Sequence, residues 1–129
     1  MTKSNVRVAR IFKTAWFSKE ARKARIDDDE LCDAMKQVMK GQADPLGGGV
    51  FKKRLDKNRR RSIILAKGRQ ILVYVYLFAK KDRDNIDNVE LSQFRKLAGS
   101  YETLTEFQIA QLLKNQDITE ICNEHGSQT

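Results

Sequence analysis

Lys52 and Arg54 stand two positions apart in Val50 to Leu55, a segment that reads as a β-strand. Both side chains therefore project from one face, while Phe51, Lys53 and Leu55 project from the other. A basic pair held this way has a definite chemical use. When the 2′-hydroxyl of RNA attacks the adjacent phosphorus, negative charge builds on the nonbridging oxygens, and fixed guanidinium and ammonium groups stabilise it without a metal. Losing one such donor costs about 3 kcal/mol, a hundredfold in rate. The attacking hydroxyl also needs a base, a role open to a lysine whose pKa neighbouring cations depress. On residue types alone, the simpler use of the pair is a solvated basic face that grips phosphate.

The charge distribution supports a polyanionic partner. The 129 residues carry a net charge of +8, with a pI near 9.7, and the charge is uneven. Residues 52 to 69 hold nine Lys or Arg against Asp56 alone, and residues 1 to 25 hold eight against Glu20 alone, which leaves the rest of the chain net acidic. Such asymmetry points to one basic face. Cys32 and Cys122 lie far apart with no CxxC spacing, so reduced thiols are expected rather than a disulfide framework or a zinc site. The sole histidine, His125, falls in a polar tail and is not expected to serve catalysis. The acidic run Asp27 to Glu30 reads as a helix cap rather than a metal site, so neither a metal nor a cofactor is expected. Met1 to Lys13 has no continuous apolar run, and the longest one, Ile71 to Ala79, is too short to span a bilayer. A soluble, cytoplasmic protein follows as the expectation.

The elements that would position the basic residues can be read along the chain. Val6 to Lys13 reads as a strand, and Thr14 caps an amphipathic helix from Ala15 to about Arg25. Asp27 and Glu30 form a capping-box pattern ahead of an apolar stripe from Leu31 to Met39 that ends at Gly41. Pro45 and Gly47-Gly48-Gly49 read as a flexible connection, since the triple glycine lacks the sequence context of a phosphate-binding loop. Val50 to Leu55, Arg61 to Ala66 and Gln70 to Ala79 form consecutive strands, the last two joined by a turn at Lys67-Gly68-Arg69. In the third, strict alternation puts Ile71, Val73, Val75 and Leu77 on one side and Leu72, Tyr74, Tyr76 and Phe78 on the other, as a central strand requires. Val89 to Leu97 and Leu104 to Leu113 read as helices. A single domain over residues 1–113 is expected, with a loosely ordered tail over 114–129. Trp16, Tyr74 and Tyr76 have the chemistry to stack on bases, but their apolar settings predict core packing for all three.

Three segments carry a family resemblance. Phe12-Lys13-Thr14-Ala15-Trp16-Phe17, Leu46-Gly47-Gly48-Gly49-Val50-Phe51-Lys52-Lys53-Arg54 and Phe78-Ala79-Lys80-Lys81-Asp82-Arg83-Asp84-Asn85-Ile86 resemble the RelE/HigB-like toxins of bacterial type II toxin-antitoxin pairs. The resemblance spans about residues 11–113. It departs at Asp56 to Arg61, where relatives usually carry a longer loop with a Gly-Gly-Tyr-Arg-like stretch. It implies an α+β fold: a small antiparallel sheet built from a strand, two helices and a three-stranded meander, with C-terminal helices. It also implies a metal-independent endoribonuclease that cuts mRNA on the ribosome and is restrained by an antitoxin, one with a helix-turn-helix domain encoded adjacently. The family's catalytic residues fall on Lys52, Arg54, Arg61 and Lys81, and Lys53, Lys57, Arg59, Arg60, Lys80 and Arg83 are expected to bind RNA around them. Two other readings stay open: a ParE-like toxin that inhibits gyrase, and a catalytically silent RNA-binding relative.

Overall fold

A computed structural model describes residues 9–68 and 70–122. The elements run β1 (Arg10–Thr14), α1 (Ala15–Lys23), α2 (Asp28–Met39), β2 (Asp44–Gly47), β3 (Val50–Leu55), β4 (Arg60–Lys67), β5 (Ile71–Ala79), α3 (Asn88–Glu102), α4 (Glu106–Lys114) and β6 (Ile118–Ile121). The fold is α+β. One sheet of order β2-β3-β4-β5-β1-β6 has antiparallel neighbours throughout except β1 and β5, which run parallel. The meander β3-β4-β5 follows from the short turns between its strands, and the remaining strands extend it at both edges.

Both faces of the sheet are covered. On one side Tyr74, Leu72 and Ile64 pack with Phe17 and Ala21 of α1 and Leu31 and Met35 of α2. On the other, Val73, Ile63 and Leu65 pack with Ala98 of α3 and Ile109 of α4. Thr14 caps α1 by accepting a hydrogen bond from the Phe17 amide at 3.1 Å. Two further caps escape the sequence reading: Asp87 with Glu90 at the start of α3, and Thr105 with Gln108 at the start of α4, each a reciprocal capping box. Among the described residues, no helix is long and apolar enough to cross a membrane.

Several expectations need correction. Strict alternation fails in β5: Ile63 pairs with Tyr76 and Ile64 with Tyr74, so Val75 is an extra, bulged residue. A bulge shifts the phase of every later side chain. Leu77 therefore joins the α1/α2 core, and Phe78 the α3/α4 core. The triple glycine is a tight turn rather than a loose connection. All three residues have positive φ, and a Cβ on Gly48 would lie 2.8 Å from the Arg95 side chain of α3. Arg95 in turn donates to the carbonyls of Leu46 and Gly47.

The C-terminal segment is not a loose tail as far as residue 122. Ile118 and Ile121 are buried where β6 pairs with β1. That pairing carries Cys122 to α2, where it forms a disulfide with Cys32, their Cα atoms 5.4 Å apart. The expected free thiols are thus joined, and the separation of 90 residues is what hides the pairing from sequence spacing. Val6 to Val8 of the expected first strand, Arg69 of the expected turn, and His125 lie outside the described residues.

Candidate nucleic-acid interface

The basic residues gather at one end of the sheet, where β3 ends, β4 begins and β5 gives way to a loop. Arg54 and Arg61 face each other directly across β3 and β4, and Arg61 in turn neighbours Phe78 of β5. Like charges directly opposite one another destabilise a sheet unless something anionic lies between or above them. Arg54 is exposed, Lys52 is half-buried one step along the same face, and Lys81 is exposed in the loop after β5.

The β3–β4 hairpin that holds this end is conformationally demanding. Asp56, Lys57 and Asn58 have φ of 55°, 51° and 72°, three consecutive left-handed residues without a glycine. Such a conformation is sterically costly and must be held by contacts. Glu30 provides one. Its carboxylate accepts from the Asp56 amide at 2.5 Å, so the expected capping box of α2 is only half made, by Asp27 accepting from the Glu30 amide. Arg61 provides another, donating through Nη1 to the carbonyls of Asn58 at 3.0 Å and Arg60 at 3.3 Å. Arg61 is consequently only 8% exposed. It lies under the hairpin, whereas Arg54 projects into solvent.

The structure divides the remaining basic residues. Lys53 projects from the opposite face, where its ammonium donates to the Gln42 carbonyl at 3.0 Å. Burial, and then the nearby Arg54 charge, lower its pKa. Arg59 binds the Asp56 carboxylate at 2.8 Å, and Arg60 approaches it at 3.5 Å. The Arg59 hydrogen bond is the main reason the Asp56 carboxyl titrates below its usual range. Arg83 is held by Glu90 and by the Asn85 carbonyl, with its guanidinium 5.4 Å from the centre of the Phe78 ring. That ion pair holds the Glu90 carboxyl low.

Among the described residues, no hydrogen bond or ion pair engages the side chains of Lys52, Arg54, Lys57, Lys80 or Lys81. A cavity of about 650 Å³ opens between the hairpin and the end of β5, lined by Lys57, Arg59, Arg60, Lys80 and Lys81 and by no acidic residue. This is a place for an anion. Among the described residues, no three His, Cys, Asp or Glu side chains come together in a way that could hold a metal ion.

The three candidate stacking residues separate as well, with Tyr76 half-buried against the α3/α4 core. Tyr74 is fully buried, as expected, stacked on Phe17 with ring centres 4.9 Å apart. Its hydroxyl donates to the Leu31 carbonyl at 2.6 Å, and burial pushes its pKa up. Trp16 contradicts the expectation of core packing: it is 45% exposed. It stands at the first turn of α1 one position before the buried stripe of Phe17 and Ala21, which turns it off the core face. That offset was readable in the sequence, whereas the roles of Glu30 and Glu90 depend on distant contacts and were not.

A family model described as the RelE toxin of the RelE/RelB toxin-antitoxin system matches residues 9–121. No curated protein and no solved structure matches the chain significantly.

Proposed function

The chain belongs to the RelE toxin family, which implies an antitoxin partner, and from that premise we propose that it is an endoribonuclease that cuts mRNA at the basic end of its sheet. The reading is carried by the concentration of cations at this end of the sheet, where Arg54 pairs with Arg61 across β3 and β4 and an acid-free cavity is lined by Lys57, Arg59, Arg60, Lys80 and Lys81. The RNA 2′-oxygen attacks the adjacent phosphorus, the bond to the 5′-oxygen breaks, and a 2′,3′-cyclic phosphate forms. Arg54 and Arg61 stabilise the charge on the nonbridging oxygens. Lys52 and Lys81 are the amines that take the proton from the 2′-hydroxyl and return one to the leaving 5′-oxygen. Lys57, Lys80 and Arg59 hold flanking phosphates, with Arg60 and Arg83 at the margin of the site. The ribosome presents the message, and an adjacently encoded antitoxin with a helix-turn-helix domain restrains the activity in the cytoplasm.

Mapping RNA ends after induction tests this. The expected products carry 2′,3′-cyclic phosphate or 3′-phosphate upstream and 5′-hydroxyl downstream. RNA ends with 5′-phosphate and 3′-hydroxyl produced by the purified protein would sink the mechanism, and broken DNA with intact messages would replace it with gyrase poisoning. Co-expression of each neighbouring reading frame should identify one that restores growth and co-purifies. One observation favours a second reading: Arg61 is buried and bonded to hairpin carbonyls, which suits a relative that binds RNA without cutting it. In that case RNA is retained and no new ends appear.

A further inference from the structure

Trp16 is the chain's single tryptophan, and it lies on the surface beside the basic end. Its ring stacks on Tyr76, with centres 5.1 Å apart and planes 17° from parallel. Tyr76 is itself braced by Phe94 at 5.7 Å and Phe78 at 5.9 Å. The position has a topological cause. β1 pairs only with Ile71 to Tyr74 of β5, so the edge of β5 beyond Tyr74 carries no strand, and α1 lays Trp16 over the bulged segment.

The result is a groove of about 350 Å³ in which Trp16 and Tyr76 meet Lys23, Arg60 and Arg83, with Glu20 and Asp82 also on its wall. Arg60 and Ala79 line both this groove and the acid-free cavity, so the two are contiguous. At the junction the Arg60 Nε is buried without a hydrogen bond, its nearest described anion being Asp56 at 3.5 Å.

We propose that the Trp16–Tyr76 stack is a nucleobase platform: an unpaired base of a single-stranded RNA lies on the indole while the adjoining phosphates occupy the basic cavity. The inference rests on the RNA reading of that cavity and adds the residue that binds the base. A rigid, pre-stacked aromatic loses little freedom on binding, and every base offers a π-face, so such a platform is tolerant of sequence. The adjoining cations favour a polyanion with planar groups: phosphates supply charges for the Lys and Arg side chains of the cavity, and bases supply the flat faces that an indole stacks on, which the side chains of an acidic peptide lack.

The test uses the full chain and the fluorescence of Trp16. The probe is a 2′-O-methyl single-stranded RNA, which lacks the attacking hydroxyl, compared with inorganic polyphosphate. The RNA should quench Trp16, whereas polyphosphate should compete for the cavity without quenching. Trp16→Ala should weaken RNA binding about tenfold and leave polyphosphate binding unchanged, with Trp16→Phe between them. Thermal melts establish that the variants fold, and the quenching of the unaltered protein stands even where a variant does not. Binding of both probes with no quenching and no effect of Trp16→Ala would overturn the platform while leaving the RNA reading intact. Binding of neither probe would remove the RNA reading and the platform with it. Quenching by the antitoxin but not by RNA would assign the groove to a protein partner and overturn the proposal.

Discussion

Tyr74 and Arg61 are polar residues of adjacent strands, both shielded from solvent, and they are shielded to different ends. Tyr74 has one hydroxyl donor, and the Leu31 carbonyl receives it at 2.6 Å. Arg61 has five N–H donors, and the hydrogen bonds described for it come from Nη1 alone, to carbonyls of its own hairpin. It also faces another arginine across the strand. A satisfied buried hydroxyl stabilises the fold and has no capacity left for a ligand. A guanidinium that faces a like charge and keeps donors that are not buried is less favourable to the fold, and an incoming phosphate relieves the repulsion and uses those donors. The same strands therefore hold a region arranged for stability and, at one end, a region completed by binding.

Tyr74→Ala should produce the largest loss of stability, about 3–5 kcal/mol, because it empties a fully buried aromatic site stacked on Phe17. Tyr74→Phe keeps the ring and should cost about 1 kcal/mol. Denaturant titration measures both. If Tyr74→Ala were as mild as Tyr74→Phe, the division between the two regions would be wrong.

Arg54→Ala should do the reverse, lowering the cleavage rate about a hundredfold, equivalent to about 3 kcal/mol, while raising the melting temperature slightly, because it removes the like charge that faces Arg61. Arg61→Ala should lower both rate and stability, because Arg61 also holds the hairpin. Parental cleavage by both purified variants would eliminate the proposed site.

Cys32→Ser should cost about 2–4 kcal/mol through the lost constraint on the unfolded chain. It tests the link between α2 and the end of β6, which the disulfide joins, without removing the Glu30 contact that holds the hairpin. Cleavage by the folded fraction should be unchanged. A reducing agent should bring the parental protein to the stability of the variant, and a parent indifferent to reduction would show that β6 holds without the bond.

The meander was legible because its signals are local. Lys67 and Gly68 mark a turn between two apolar runs, and Lys52 and Arg54 share a face by simple alternation. Glu30 looked like half of a capping box because its spacing from Asp27 is right, yet its carboxylate reaches the Asp56 amide, 26 residues on. Alternation placed Tyr74 correctly and failed after Val75, since a bulge depends on the partner strand. Four residues of edge strand carry little periodicity by themselves, so the sequence alone places Cys122 in a tail. At the site, sequence collected the cations and left unresolved which of them were already paired. Arg59 and Arg83 resemble Lys81 in a one-dimensional reading, and only the fold supplies Asp56 and Glu90.

Asp56→Asn should have the smallest effect and draws the boundary between the two regions most finely. Asp56 sits at φ 55°, a left-handed conformation that asparagine tolerates as well as aspartate, so the substitution removes charge with little change of backbone preference. The folded-state pKa of Asp56 is depressed, chiefly by its hydrogen bond from Arg59. A depressed carboxyl contributes stability that is present above its unfolded-state value of about 3.9 and is lost as pH falls through the lower folded-state value. The variant should therefore be slightly less stable than the parent at pH 7, with the difference closing below pH 4. The exposed setting of Arg59 keeps the effect small. RNA affinity should move the other way, because removing the carboxylate frees Arg59 and Arg60 for phosphate and adds to the net positive charge of the cavity. Binding of the 2′-O-methyl RNA should tighten and become more steeply dependent on salt. A variant that lost stability and affinity together would show that Asp56 holds the hairpin in its binding shape, and the basic end would then have to be counted with the stable region rather than against it.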